Sequence, residues 1–361
     1  MAFTADEIAN INNTSLERFV RKGKVAIQNV QQKPLLAAFD VTAQEFPGGN
    51  GFISLGVMSG QGGGSMQGYS GDQQVGFYNP TGNKRVRYAW KEHHIGMGVT
   101  YTELKNNGID VVGDAGDTTT EDMSGGEEVR LAHIMDTKDA MFSEDYSKSM
   151  DTLVHGDGSA DPTSMAGIQS LILDSPAVGT TGGLARPTNA WWRNRAATAA
   201  FAGAGGQGAI TVNPANGGAL MEFLEKEWLQ LVRYAEGTPR WKLFAGSDFI
   251  AGYQKEIRAN GSYSQTGFQG QNNVDGGMDG PKFKGNVIKY DPTLDNLGLS
   301  KRLYVIDMSL TGIRLYYMMG NRMKKHTPAR PYDRYVFYKA VTNTAVMAAQ
   351  RLNTSAVYDI A

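Results

Sequence analysis

Eleven of the 29 residues from 48 to 76 are glycine, and no other feature narrows the choice of folds so much. Glycine at that density costs backbone entropy on ordering and brings few side chains to offset it. A collagen-like G-X-Y period is absent, so the excess means turns, bulges and loops. The stretch is not a pure Gly/Ser linker either, because Phe52, Ile53, Leu55, Met58, Tyr69, Phe77 and Tyr78 are spread through and just beyond it. Long structureless loops inside a compact domain are uncommon and usually functional or disordered. It therefore reads as a projecting hairpin that needs a partner surface. After it, Val86, Tyr88 and Trp90 alternate with Arg85, Arg87 and Lys91, then Ile95, Met97, Val99 and Tyr101 with Gly96, Gly98, Thr100 and Thr102. A period of two over that length predicts return strands with one buried face.

The rest of the chain has stronger local signals. Residues 1 to about 35 are polar, with a basic stretch at Arg18, Arg21, Lys22 and Lys24 before the first apolar run, Leu35 to Phe39; they read as an arm. Ser124-Gly-Gly-Glu127 fits a capping box. Leu131, Met135, Phe142, Tyr146, Met150 and Leu153 follow at helical spacing, and Gly156 and Gly158 end the pattern. A helix of about 124–155 is predicted. In the second half, Met221, Leu224, Trp228, Leu231 and Ala235 predict an amphipathic helix ended by Gly237 and Pro239. Trp241 to Phe244 reads as a strand, and Ser247 as the cap of a helix to about Ala259. A Gly/Asn/Gln/Ser-rich loop spans 260–281, and strands are predicted near 283–290, 303–308 and 313–318, with Asp291-Pro292 and Thr311-Gly312 as turns. Tyr335 to Tyr358 is read as one long buried strand. The class is α+β.

Composition removes whole classes of function. The 361 residues suggest roughly two domains. Lys+Arg 35 against Asp+Glu 36 leaves a net charge of −1, which argues against a chain whose main work is gripping nucleic acid. Zero cysteines excludes disulfide scaffolds, zinc ribbons, iron–sulfur clusters and cysteine nucleophiles. Neither a signal peptide nor a run of about 18 apolar residues is visible, so the expectation is a soluble intracellular chain without membrane contact.

Each chemical motif has a plainer structural reading. Gly203-Ala-Gly205-Gly-Gln-Gly208 matches G-x-G-x-x-G, but the strand–turn–helix context of a dinucleotide site is inverted. His93, His94, His133, His155 and His326 give no H-E-x-x-H, and adjacent His93 and His94 on a strand point to opposite faces. His155-Gly-Asp157-Gly-Ser-Ala-Asp161 lacks EF-hand spacing and reads as a helix-terminating turn. Glu127-Glu128 suits a helix start, and no G-x-S-x-G elbow is present. No catalytic residue, cofactor site or metal site is assigned. Two features mark surfaces. Trp191-Trp192-Arg193-Asn194-Arg195 is either core packing or an interface anchor. Arg322, Lys324, Lys325, Arg330 and Arg334 form either a solvated loop or a contact for phosphates or an acidic subunit.

In serial order, the polar arm, glycine-rich hairpin, alternating strand, very long helix, α/β second half and terminal β segment resemble the major capsid proteins of tailed bacteriophages. Individual phrases are similar too: Met165-Ala-Gly167-Ile168 with Leu171-Ile172; Thr188-Asn189-Ala-Trp191-Trp192-Arg193-Asn194; Phe283-Lys-Gly285 with Tyr290-Asp291-Pro292; Arg302-Leu-Tyr304; Arg330-Pro-Tyr-Asp333; and Arg351-Leu-Asn353. The resemblance implies the Johnson fold, with an N-terminal arm (1–39), an extended E-loop (40–85), a P-domain (86–194) holding a spine helix of about 124–155, an A-domain (195–325), and a terminal β segment of the P-domain (326–361). It implies hexamers and pentamers tiling an icosahedral shell around double-stranded DNA, in a virion assembled in the host bacterial cytoplasm. A portal protein is an implied partner, and whether a decoration protein binds is left open by the sequence. Only about 35 residues precede the hairpin, so the scaffolding protein is expected to be separately encoded, and DNA contact to be weak and non-specific. The expected inter-subunit contacts are Phe52, Ile53, Met58, Tyr69, Phe77, Tyr78, Trp191, Trp192, Arg322, Lys324, Lys325 and Arg330. Two other readings compete: the shell of a protein nanocompartment enclosing cargo enzymes, and an α+β enzyme with a glycine-rich lid.

Overall fold

The alternation after the glycine-rich stretch folds as its period requires. A computed structural model describes residues 30–48, 51–59, 64–79, 82–107, 125–199, 208–214, 218–235, 240–259, 281–326 and 336–361. The basic arm residues 18–24, Ser124 and the side chain of Glu127, Gly203 to Gln207, Gly237, Pro239, the loop 260–280, Arg330 and Arg334 lie outside the described residues.

The first half runs α1 (Pro34–Thr42), β1 (Gln44–Phe46), β2 (Phe52–Met58), β3 (Asn83–Ala89), β4 (Lys91–Thr100), α2 (Tyr101–Asn106) and α3 (Gly125–His155). Then come α4 (Ile168–Leu171), β5 (Thr180–Thr181), β6 (Leu184–Ala185) and β7 (Arg195–Ala197). The second half runs α5 (Ala219–Arg233), β8 (Trp241–Ala245), α6 (Ser247–Ala259), β9 (Lys282–Phe283), β10 (Asn286–Tyr290) and α7 (Pro292–Asn296). It ends with β11 (Arg302–Asp307), β12 (Ile313–Met318), β13 (Lys324–His326), β14 (Val336–Ala349) and β15 (Ala356–Asp359).

Three boundaries differ from the sequence reading. Tyr101 and Thr102 open α2 rather than extending a strand, because the Thr100 hydroxyl accepts the Glu103 N–H at 3.3 Å, an N-cap the alternation concealed. Asp291-Pro292 is not a bare turn: Asp291 caps α7, its Oδ1 accepting the Thr293 N–H at 3.1 Å, with Pro292 in the first turn. The terminal segment is two strands in two different sheets. It breaks where the Thr354 hydroxyl donates to Asp307 Oδ2 (2.9 Å) and Ser355 Oγ accepts the Asp307 N–H (3.2 Å).

The chain divides into two compact units. Among the described residues, one contains His93–Met150 and Gly320–Asn343. There β13 pairs antiparallel with β14 from Lys324↔Thr342 to His326↔Ala340, and β4 also pairs β14. Polar contacts tie α3 to this sheet: Lys339 Nζ to Asp139 Oδ1 at 2.6 Å, and Asn343 Nδ2 to the Tyr146 hydroxyl at 3.1 Å. Lys138 and Glu103 pair at 2.5 Å.

The other unit contains Gln32–Glu92, Asp151–Met319 and Thr344–Ala361. Its main sheet has six strands in the order β7-β15-β11-β8-β10-β9. Every residue of β11 is buried, as befits a central strand covered on both faces. Helices α5 and α6 supply Leu220, Phe223, Leu224, Leu231, Phe249 and Tyr253 to the core. On α5 the most buried line is centred one residue earlier than the predicted stripe, through Leu220, Phe223, Leu224, Glu227 and Leu231. Met221 and Trp228 sit at its margin, where Trp228 meets Trp241 (centroids 4.5 Å apart) and the edge of Phe283 (5.6 Å). The Glu256 carboxylate, fully buried, accepts the N–H groups of Asn213 (2.9 Å), Leu220 (3.0 Å) and Met221 (2.9 Å), satisfying orphan amides at the start of α5.

Candidate assembly surface

Strands β2 and β3 pair antiparallel without a slip from Phe52↔Ala89 to Met58↔Asn83. A strand turns alternate side chains to opposite faces, so the ribbon has two characters. Its inner face carries Ile53, Val57, Val86 and Tyr88, all buried. The covering surface is the β5–β6 turn and the end of β14. Arg87 donates its N–H to the Gly182 carbonyl at 2.9 Å, and the Tyr88 hydroxyl donates to the Ala349 carbonyl at 3.2 Å. Burial pushes the Tyr88 phenol up, so it stays protonated and donating. Lys84 Nζ donates to Asn189 Oδ1 at 2.6 Å. Gly182, at φ +59°, lies so close that an added Cβ would fall 2.9 Å from Val86 Cβ. Only glycine lets the turn settle there.

The distal part of the hairpin is built differently. Every residue from 64 to 79 is exposed and none belongs to a strand. Its hydrogen bonds are short-range: the Gln73 N–H to the Ser70 carbonyl (3.3 Å), the Ser70 N–H to Gln73 Oε1 (3.2 Å) and the Gly76 N–H to Gln67 Oε1 (3.2 Å). Yet it carries Met66, Tyr69, Val75, Phe77 and Tyr78, with Phe77 96% exposed. Met58, at the end of β2, is exposed as well. Soluble chains seldom display so many large apolar side chains in one short segment, and such patches mark interaction surfaces.

Among the expected contact residues, Met58, Tyr69, Phe77 and Tyr78 are exposed and Phe52 is half-buried on the outer face of the ribbon. Two others are corrected. Ile53 is 0% exposed on the inner face, and Trp192 is 1% exposed with its indole N–H donating to the Thr181 carbonyl at 3.1 Å. Both side chains are enclosed by their own chain and leave no surface for a neighbour. Trp191 is half-buried beside it, centroids 5.9 Å apart. Arg322, Lys324 and Lys325 are exposed, and both lysines lie on strand β13 at the end of its sheet rather than in a loop. Lysine on an edge strand discourages unwanted strand pairing.

Asn194 and Arg302, in two of the quoted phrases, belong to buried polar joints. Arg186, 0% exposed, donates from Nε to Thr181 Oγ1 (2.9 Å), from Nη1 to Asn194 Oδ1 (2.7 Å) and from Nη2 to the Leu171 carbonyl (2.6 Å). Burial, with a smaller push from the Arg193 charge, lowers its guanidinium to about 10. Arg302 holds Asp359 with two bonds (2.8 and 3.0 Å) and Asp174 with a third (2.8 Å). Arg195 is paired with Glu227, and the Tyr358 hydroxyl donates to the same carboxylate at 3.2 Å. Gly167 abuts the end of α3, where a Cβ would stand 2.3, 2.4 and 2.6 Å from the carbonyl oxygens of Leu153, Val154 and Gly156. Sequence reading named the phrase around Gly167 but not this contact, and it missed Arg186 and Glu256 altogether.

His155 ends α3 with Nδ1 at 2.8 Å from the Asp151 carbonyl oxygen and Nε2 at 3.0 Å from Asp291 Oδ2. Both partners are acceptors, which suits an imidazolium donating from both nitrogens. Burial opposes that charge, but the Asp291 hydrogen bond and the Asp291 and Asp151 charges outweigh it and raise the imidazole above its ordinary value. Burial also raises Asp151, whose Oδ2 accepts the Thr293 hydroxyl at 2.6 Å. The cluster is enclosed, His155 being 1% exposed and Asp291 0%, as befits a joint within the unit. Among the described residues, no group of three or more His, Asp or Glu is placed to hold a metal ion.

The mixed helix-and-sheet fold is similar to that of solved phage capsid chains. A capsid chain of cyanophage A-1(L) superposes with a TM-score of 0.58 at 14% identity, covering 97% of this chain and 99% of that one. A capsid chain of a native GTA particle gives 0.53 at 10% identity, covering 94% of each. A capsid chain of Myoviridae phage XM1 gives 0.53 at 8% identity, covering 94% of this chain and 95% of that one. No protein-family model and no curated protein matches the sequence.

Proposed function

We propose that this chain is the major shell subunit of a tailed-phage capsid, closing as hexamers and pentamers into an icosahedral shell around double-stranded DNA. The observation that carries the reading is the distal hairpin, whose Met66, Tyr69, Val75, Phe77 and Tyr78 are all left exposed by the described residues, Phe77 almost completely. A two-stranded ribbon is marginal in water by itself. A neighbouring copy supplies the missing burial, and repetition around closed rings multiplies many modest contacts. Phe52, Met58 and Trp191 extend the contact area. Lys324 and Lys325 on β13 are exposed to phosphates or to an acidic neighbour, Arg322 and Arg330 remain expected contacts, and DNA contact is weak and non-specific. The role is structural, in the virion. A scaffolding protein directs assembly in the host cytoplasm, and a portal protein joins the shell.

Electron microscopy of the purified chain, alone and with a scaffolding protein, tests this directly. Rings or closed shells are expected, and replacing residues 60–68 with a short rigid turn is expected to abolish closure while the subunit still folds. A chain that stays monomeric under every assembly condition overturns the reading, as does undiminished closure by the shortened variant.

A further inference from the structure

The outer face of the β2–β3 ribbon carries charge of one sign. Register places Phe52, Ser54, Gly56 and Met58 there from one strand and Asn83, Arg85, Arg87 and Ala89 from the other. No carboxylate stands among those eight residues. Arg85 and Arg87 are both exposed, on the same face two residues apart, which puts their α-carbons about 6.6 Å from each other. Among the described residues neither guanidinium forms an ion pair. The Arg87 guanidinium lies over the Phe52 ring, 5.0 Å from its centroid, so its plane is partly ordered before anything binds. The inner-face Lys84, by contrast, is engaged within the chain by Asn189.

We infer that Arg85 and Arg87 form a carboxylate-recognition strip that docks on an acidic surface of a second copy of this chain. Guanidinium forks match carboxylate geometry bidentately, and arginine beside aromatic and methionine side chains is the composition of a protein–protein hot spot. The strip continues into the apolar distal hairpin, so one ribbon offers an electrostatic register and an apolar anchor to the same neighbour. Two cations are a poor grip for a nucleic-acid backbone, and with 36 acidic against 35 basic residues in each copy the receiving surface is a local acidic patch rather than a net charge. The assignment rests on the shell reading above and adds to it the chemistry of the receiving surface.

The test compares Arg85→Glu/Arg87→Glu, the milder Arg85→Gln/Arg87→Gln and a hairpin-end variant, Phe77→Ser/Tyr78→Ser, each full-length, by thermal melting, sedimentation and electron microscopy over a salt series. Expected are native-like melting of both arginine variants and at least about a tenfold loss of assembled particles for the glutamate pair. The glutamine pair should lose less, and wild-type assembly should weaken as salt rises. Wild-type assembly by both arginine variants, with failure of the hairpin-end variant, overturns the strip and leaves the shell reading standing. Normal assembly by all three overturns both. Normal particle yield with lowered DNA content in the arginine variants also overturns the strip, assigning it to phosphate instead. If the glutamate pair fails to fold, the glutamine pair decides by the same criteria.

Discussion

The two ends of one hairpin, joined by a few residues and drawn from the same glycine-rich stretch, are held in opposite ways. At the root, Ile53, Val57, Val86 and Tyr88 are buried, and β3 is bonded to distant parts of the chain. At the far end, side chains of the same chemical kind stand in water, and among the described residues the hydrogen bonds reach at most nine residues along the sequence. Hydrophobicity alone therefore does not separate fold from function here. What separates them is whether the chain supplies the other half of the contact. The root belongs to the stability of the subunit, and the far end to its assembly.

Substitutions can break that contrast. Ile53→Asn places an amide in an enclosed apolar site and removes packing, so a loss of about 3–5 kcal/mol in subunit stability is expected, measured by chemical denaturation. Phe77→Ser should leave that denaturation curve unchanged. It should instead weaken assembly by about 2 kcal/mol per contact, roughly 30-fold, in the particle yield. If Phe77→Ser lowered subunit stability as Ile53→Asn does, the two ends would not be distinct.

A smaller effect concerns the joint at the end of α3. The imidazole of His155 is raised, so its contribution is complete below the ordinary histidine range, about pH 6.5, and is lost as pH climbs through the higher folded value. The melting-temperature advantage of wild type over His155→Gln should therefore shrink between about pH 6 and pH 8. An advantage that is constant or grows over that interval contradicts the charged-imidazole assignment. Smallest of all, Lys84→Met removes one hydrogen bond at the root and should cost about 1 kcal/mol of subunit stability, with assembly lowered only in proportion.

What the sequence disclosed follows the range of each interaction. Period-two alternation revealed β3 and β4, and helical spacing revealed α3, because those patterns are local. Alternation also showed that the ribbon has two faces, but not which one the rest of the chain covers, so Ile53 and Phe52 read alike. Trp192 was ambiguous because aromatic and cationic neighbours look the same in a core and at an interface. The buried joints left no local trace. His155 meets Asp291 across 136 residues, and Arg302 meets Asp174 across 128. Arg186 gave no signal, since its guanidinium is held by a hydroxyl, an amide and a backbone carbonyl that any loop contains.

Hydrogen exchange across residues 64–79, in the isolated subunit and in assembled particles, puts the contrast between the two ends to the most direct test. Exchange in the subunit should be near the rate of an open chain at the far end and slow at Ile53 and Val86, and assembly should slow the far end by about tenfold or more. Slow exchange there in the lone subunit, or no change on assembly, would mean that the hairpin end finds its cover within its own chain.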